Sequence, residues 1–122
     1  MRACELMVGD YVKQCHCGRI IRVAEVVPPF VRDDTLVGQY HEDTIEPITI
    51  TDGFLETNGF STPYINGDLF VCKGENAGVP YSLEYKISTK ALFLNLALIP
   101  EPICNVHQLQ HFCDIIHKEI TL

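Results

Sequence analysis

Between Arg19 and Val27 the chain reads Arg-Ile-Ile-Arg-Val-Ala-Glu-Val-Val and then stops at Pro28-Pro29. β-Branched side chains are stiff at χ1 and favour a pleated strand, and proline cannot donate to a ladder, so the run is a strand with a hard end. Around it lie shorter segments of the same kind. Leu6 to Val12 turns at Gly9-Asp10 and enters a strand, and Lys13 to Gly18 makes a polar hairpin tip. A polar loop carrying Asp33-Asp34 follows the prolines. Thr35 to His41 is the next strand, with Gly38 as a bulge or kink, and Thr44 to Ile50, broken at Pro47, is a fourth. Short strands joined by tight turns predict an SH3-like curved β-meander, a small barrel over residues 1–50.

The second half changes texture. Thr51 is a suitable N-cap, Asp52 suits the first helical turn and Gly59 a left-handed end, so residues 52–58 are expected to form a short helix. Asn66-Gly67, between Phe60–Ile65 and Leu69–Lys73, is a strong hairpin signal. Residues 74–80 read as a loop. Ser82 to Ser88 alternates as a half-exposed strand, and Leu92 to Ile99 reads as one more buried strand. A closing amphipathic helix from Cys104 or Asn105 to Lys118 carries Leu109, Phe112, Cys113, Ile116 and Ile120 on one stripe. His107, His111, Asp114 and Lys118 fall on the opposite, solvated face. The class is therefore α+β, as a single domain over 1–122 with an SH3-like part at 1–50 and an antiparallel β-meander plus two helices at 51–122.

No segment approaches a membrane span, and no leader pattern opens the chain, so a cytoplasmic protein is expected. The six cysteines are then thiols or ligands before they are disulfides. Net charge is −7, with the acids concentrated after residue 32, so nucleic-acid binding is disfavoured. Lys13, Arg19 and Arg22 are the small basic group that could meet phosphates, and acidic mimicry of DNA is the opposite use of the same charge.

Three clusters carry possible chemistry. Cys15-His16-Cys17 offers soft ligands at a hairpin tip, though no second Cys or His pair follows at zinc spacing. His107 and His111 stand at i, i+4, the spacing that lets two imidazoles share a metal, but Gln108 replaces the glutamate of a hydrolytic zinc helix. Zinc on Cys15, Cys17, His107 and His111 is thus the metal alternative, set against a polar turn and a solvated helix face. His41, Glu42, Asp43 and Glu46 gather an imidazole and carboxylates in one turn, a pattern that acid-rich turns share. Neither a phosphate loop nor a nucleophile elbow is present.

Along the chain stand, in order, Cys4-Glu5-Leu6-Met7-Val8-Gly9-Asp10-Tyr11-Val12, Ile45-Glu46-Pro47-Ile48-Thr49-Ile50-Thr51, Phe54-Leu55, Asn58-Gly59-Phe60 and Val106-His107-Gln108-Leu109-Gln110. That order resembles a family of small uncharacterised bacterial proteins often found near prophage or mobile elements. His111 stands where those proteins carry Asn, and Cys15-His16-Cys17 has no counterpart there. The resemblance implies a shared fold, a mobile-element setting and a structural role for His107 as a hydrogen-bonding strut from the helix start, and no activity. The expected role is a non-enzymatic protein-interaction module without a cofactor, its partner an unidentified protein met near Tyr11, Phe30 and Tyr40.

Overall fold

The computed structural model describes residues 1–35, 38–62 and 67–122. They form an α+β chain with two antiparallel sheets, and it divides into two compact units. The first holds Met1–Thr49 together with Asn105–His111, and the second Ile50–Cys104 with Phe112–Leu122.

In the first unit, a 3-10 turn at Ala3–Glu5 precedes β1 (Tyr11–Gln14), β2 (Ile20–Val27), β3 (Phe30–Asp33) and β4 (Gln39–His41). A second 3-10 turn, Glu42–Thr44, leads into β5 (Ile45–Glu46). The sheet order is β4-β3-β2-β1-β5, so the fifth strand returns to pair with the first. Strand alternation decides the core. Val12 faces Ile21 and Val31 faces Tyr40, and Val12, Ile21, Val23, Val31 and Ile45 are buried with Ala3 and Leu6. Each fully buried aliphatic side chain contributes about 1.5 to 3 kcal/mol. A register shift between Val23 and Glu25 keeps both ends of the long β2 usable, because the extra residue bends the strand.

The meander is as expected, but among the described residues it does not close into a barrel: β4 and β5 are the edges of the sheet. Strand limits also move. Pro28-Pro29, joined by a cis peptide, is the two-residue link between β2 and β3, with Val27 paired to Phe30. Phe30 to Arg32, expected in a loop, is therefore strand. The fourth expected strand shrinks to Ile45–Glu46, because Pro47 lacks an N–H for the ladder, and Thr49 makes only an isolated bridge to Asn105. Gly38 is required by space rather than by a bulge. A Cβ there would lie 2.6 Å from both the Asp33 carboxylate and the Tyr40 hydroxyl, which are hydrogen bonded to each other.

The second unit begins with α1 (Asp52–Thr57). The Thr51 hydroxyl accepts the Phe54 N–H at 3.2 Å, and Phe54 and Leu55 turn inward. Thr51→Ala should lose about 1 kcal/mol in chemical denaturation, the usual worth of such a cap, while Thr51→Ser should lose little. Next come β6 (Leu69–Asn76), β7 (Val79–Lys86), β8 (Ala91–Leu94) and β9 (Ala97–Leu98), in the order β6-β7-β8-β9. Phe70, Cys72, Leu83, Tyr85 and Leu92 form its buried face. The Asn66-Gly67 turn and the segment 60–65 fall largely outside the described residues, although Ser61 bridges Val71.

Two expectations fail here for one reason. Ala77-Gly78 and Asn95-Leu96 are both two-residue hairpin links with positive φ at each position, 53° and 81° in the first and 49° and 70° in the second. Residues 74–80 are thus strand and turn rather than loop, and Leu92 to Ile99 is a hairpin rather than one strand. The Asn95 side chain supports its turn by accepting the Ser82 N–H at 2.9 Å.

The last helix, α2 (Val106–Ile115), is shorter than expected. The Gln108 side chain accepts the Asn105 N–H at 3.0 Å at its start, and His117 at φ 57° follows its end. Its faces also differ from the simple stripe. Leu109, Cys113 and Ile120 of the expected stripe are buried, but so are His107 and Gln110.

Candidate functional site

A connected group of polar side chains belongs to the first unit, where the Gly9-Asp10 turn enters β1. Gly9 holds φ 95° there, a conformation that favours glycine. The turn fixes Asp10, which is 2% exposed, so that one carboxylate oxygen accepts the Met7 N–H at 2.8 Å. The same oxygen lies 2.6 Å from Nε2 of His111. Beside it, Gln110 accepts the Tyr11 N–H and donates to the Gly9 carbonyl, each at 2.9 Å. Residues about a hundred positions apart are thereby fastened through side chain and backbone.

His107 completes the group. Its ring meets that of His111 edge to face at 5.8 Å, and it is 5% exposed. Its Nδ1 has no hydrogen-bond partner among the described residues. Burial holds its pKa below the ordinary histidine value; the Asp10 charge pulls the other way, His111 adds to the lowering and Glu5 opposes it. The solvated face expected for His107 is therefore corrected: the polar turn at Asp10 supplies charge that an imidazole can approach from within. An aspartate–histidine pair of this kind can orient an imidazole for proton transfer. Here its contacts tie a helix to a strand entrance.

The residues singled out from the sequence lie elsewhere or apart. Cys15, His16 and Cys17 are exposed at the β1–β2 tip, where the Cys17 thiol donates to the side-chain amide oxygen of Gln14 at 3.2 Å. Among the described residues no three His, Cys, Asp or Glu side chains are grouped to hold a metal, so Cys15 and Cys17 are not gathered with His107 and His111. The carboxylates near His41 take separate partners. Glu42 accepts the Ala3 N–H at 2.8 Å, Asp43 lies 3.4 Å from the His41 ring, and Glu46 pairs with Lys13 at 3.4 Å. Arg22 stacks over Tyr11 at 5.2 Å, which engages two further side chains with each other.

Tyr11, Phe30 and Tyr40 do not share one face. Tyr40 turns to the core, where its hydroxyl donates to Asp33; burial raises its pKa and the Asp33 charge adds to the effect. Phe30 points outward with an edge-to-face contact to His41 at 5.3 Å. Around it the register builds two cross-strand rows, Val27–Phe30–His41 and Glu25–Arg32–Gln39. Glu25, Val27, Phe30, Arg32 and Gln39 line a recess of about 210 Å³ on this outer face. Glu25 and Arg32 stand 3.9 Å apart at its rim, about half exposed, so their attraction is worth little and either can turn to a ligand. Sequence reading found Phe30 but missed its neighbours, because Phe30 and Arg32 were placed in a loop. Alternation across the proline link was the signal that could have revealed them.

No family model, curated protein or solved structure matches the chain. No helix among the described residues is long and apolar enough to cross a membrane.

Proposed function

We propose that the protein is a non-enzymatic interaction module whose first unit binds an extended, basic peptide segment of a partner protein on the outer face of β2, β3 and β4. The carrying observation is the recess around Phe30, where Val27 and Phe30 stand beside the Glu25–Arg32 pair and Gln39. Val27 and Phe30 offer contact to an apolar side chain, and β4 is an edge strand whose backbone can receive an extended chain. The net charge of −7 favours a basic segment and speeds its approach. The strand order, with a 3-10 turn before a fifth strand that returns to the first, supports an SH3-like reading of this unit. The resemblance to prophage-associated proteins fits a role exercised on another protein.

The test is a titration with a pooled library of short peptides that carry an aliphatic or aromatic residue between lysines or arginines, followed by amide NMR shifts. Binding should move the signals of Val27, Phe30, Arg32 and Gln39. Phe30→Ala should weaken it by about tenfold or more, as loss of a buried aromatic anchor does. Absence of shifts on this face, or unchanged binding by the Phe30 variant, would overturn the reading.

A further inference from the structure

In the second unit, β6 pairs along its whole length with β7 through Leu69–Lys86 to Asn76–Val79. Its other edge is used at one point among the described residues, where Val71 and Ser61 exchange backbone hydrogen bonds of 2.7 and 2.9 Å. Backbone groups of alternate residues face the same edge of an antiparallel strand. Lys73 and Glu75 therefore turn their N–H and C=O groups toward the edge that Ser61 occupies at Val71. Both side chains are exposed, and their opposite numbers on β7 are Ser82 and Pro80, which carry no charge.

We propose that this edge pairs with the same edge of a second copy of the chain, antiparallel about a two-fold axis through Gly74. The sequence Lys73-Gly74-Glu75 is complementary to itself under that operation. Lys73 of one copy lies opposite Glu75 of the other, and the reverse pair follows by symmetry. Both residues face the edge, so each Lys–Glu pair can exchange two backbone hydrogen bonds while the charges attract. Gly74 faces Gly74 at the axis, where the absent side chain leaves Tyr81 folded across it: a Cβ there would lie only 2.6 Å from the Tyr81 ring.

The paired stretch is short. It runs from Lys73 to Glu75 of both copies and stops before Val71, whose edge groups Ser61 already takes. Gly59, Ser61, Val71 and Lys73 border a recess of about 470 Å³ beside the edge, which gives an incoming strand room. The paired stretch is locally neutral, so the overall charge of −7 opposes it only at longer range. Charged residues can also serve merely to keep edges apart, and the test separates the two uses.

Sedimentation of the full chain over a wide concentration range should show a reversible monomer–dimer equilibrium. Lys73→Glu or Glu75→Lys alone sets like charges opposite each other twice and should weaken it by about tenfold or more. The double swap should restore it, and a mixture of the two single variants should form a mixed dimer, because both its pairs are again attractive. Circular dichroism melts confirm that each variant folds. A monomer at every concentration, a dimer indifferent to either single change, or failure of the swap and the mixture to pair would each overturn the proposal.

Discussion

Replacing Asp10 with alanine should lower the unfolding free energy by about 2 to 3 kcal/mol, the worth of hydrogen bonds to a buried charged group. The carboxylate accepts the Met7 N–H and meets His111, and both lose a partner at once. Met7 is 50% exposed and the His111 side chain 29%, so water can partly replace what is lost, which keeps the cost below that of a fully buried ion pair. Asp10→Asn keeps an oxygen acceptor and should lose less. Gln110→Ala removes the neighbouring link to Tyr11 and Gly9, and its cost should not add simply to that of Asp10→Ala, since both fasten the same turn. Urea denaturation of the two single variants and the double variant measures this. A loss under about 0.5 kcal/mol for Asp10→Ala, the range of ordinary surface changes, would remove the cluster's fastening role.

Acidification should destabilise the protein through His107. Its folded pKa lies below the ordinary value because burial disfavours the imidazolium; Asp10 and Glu5 pull upward, and His111 pushes down with the burial. Above about pH 6.5 the ring is neutral in the folded and the unfolded chain alike, and the folded state keeps its full stability. Below that value the unfolded chain takes up a proton that the folded chain resists, so stability falls with pH until the folded pKa is passed. His107→Leu fits the buried site without titrating and removes the unpartnered Nδ1. Its stability should therefore decline less between neutral and mildly acid pH than that of the natural chain. Thermal melts at a series of pH values provide the comparison, and parallel pH profiles for the two proteins would contradict the assignment.

These two expectations depend on a group that the sequence divides between its ends. The i, i+4 spacing of His107 and His111 was legible, as was the turn at Gly9-Asp10. That they meet was not, because helical periodicity assigns a residue to a face without saying what that face meets. Asp10 turns part of the face into a place where imidazoles are held. The same limit applies to Gly38, whose role as the close neighbour of Asp33 and Tyr40 has no local signature.

Turn chemistry marks the other boundary. Pro28-Pro29, Thr51 with Asp52, and the alternation of Leu83 and Tyr85 announce a stop, a cap and a buried strand face, because each acts through its own backbone or its own period. Ala77-Gly78 and Asn95-Leu96 carry weaker signals. An alanine or a leucine at positive φ is unfavourable in isolation, and it is accepted where eight paired residues on each side of Ala77-Gly78 hold the strands in register.

The sequence by itself therefore determined the α+β class, the meander that opens the chain, the first helix and the existence of the last. Those features follow from local propensity and short-range periodicity. Only the tertiary structure decided that the first sheet keeps two edges among the described residues, that the hairpin strands are long, and that His107 is buried while His111 meets Asp10. Each of these depends on which segment fills the space beside a residue, and that is settled by packing and hydrogen bonding between positions far apart in the chain.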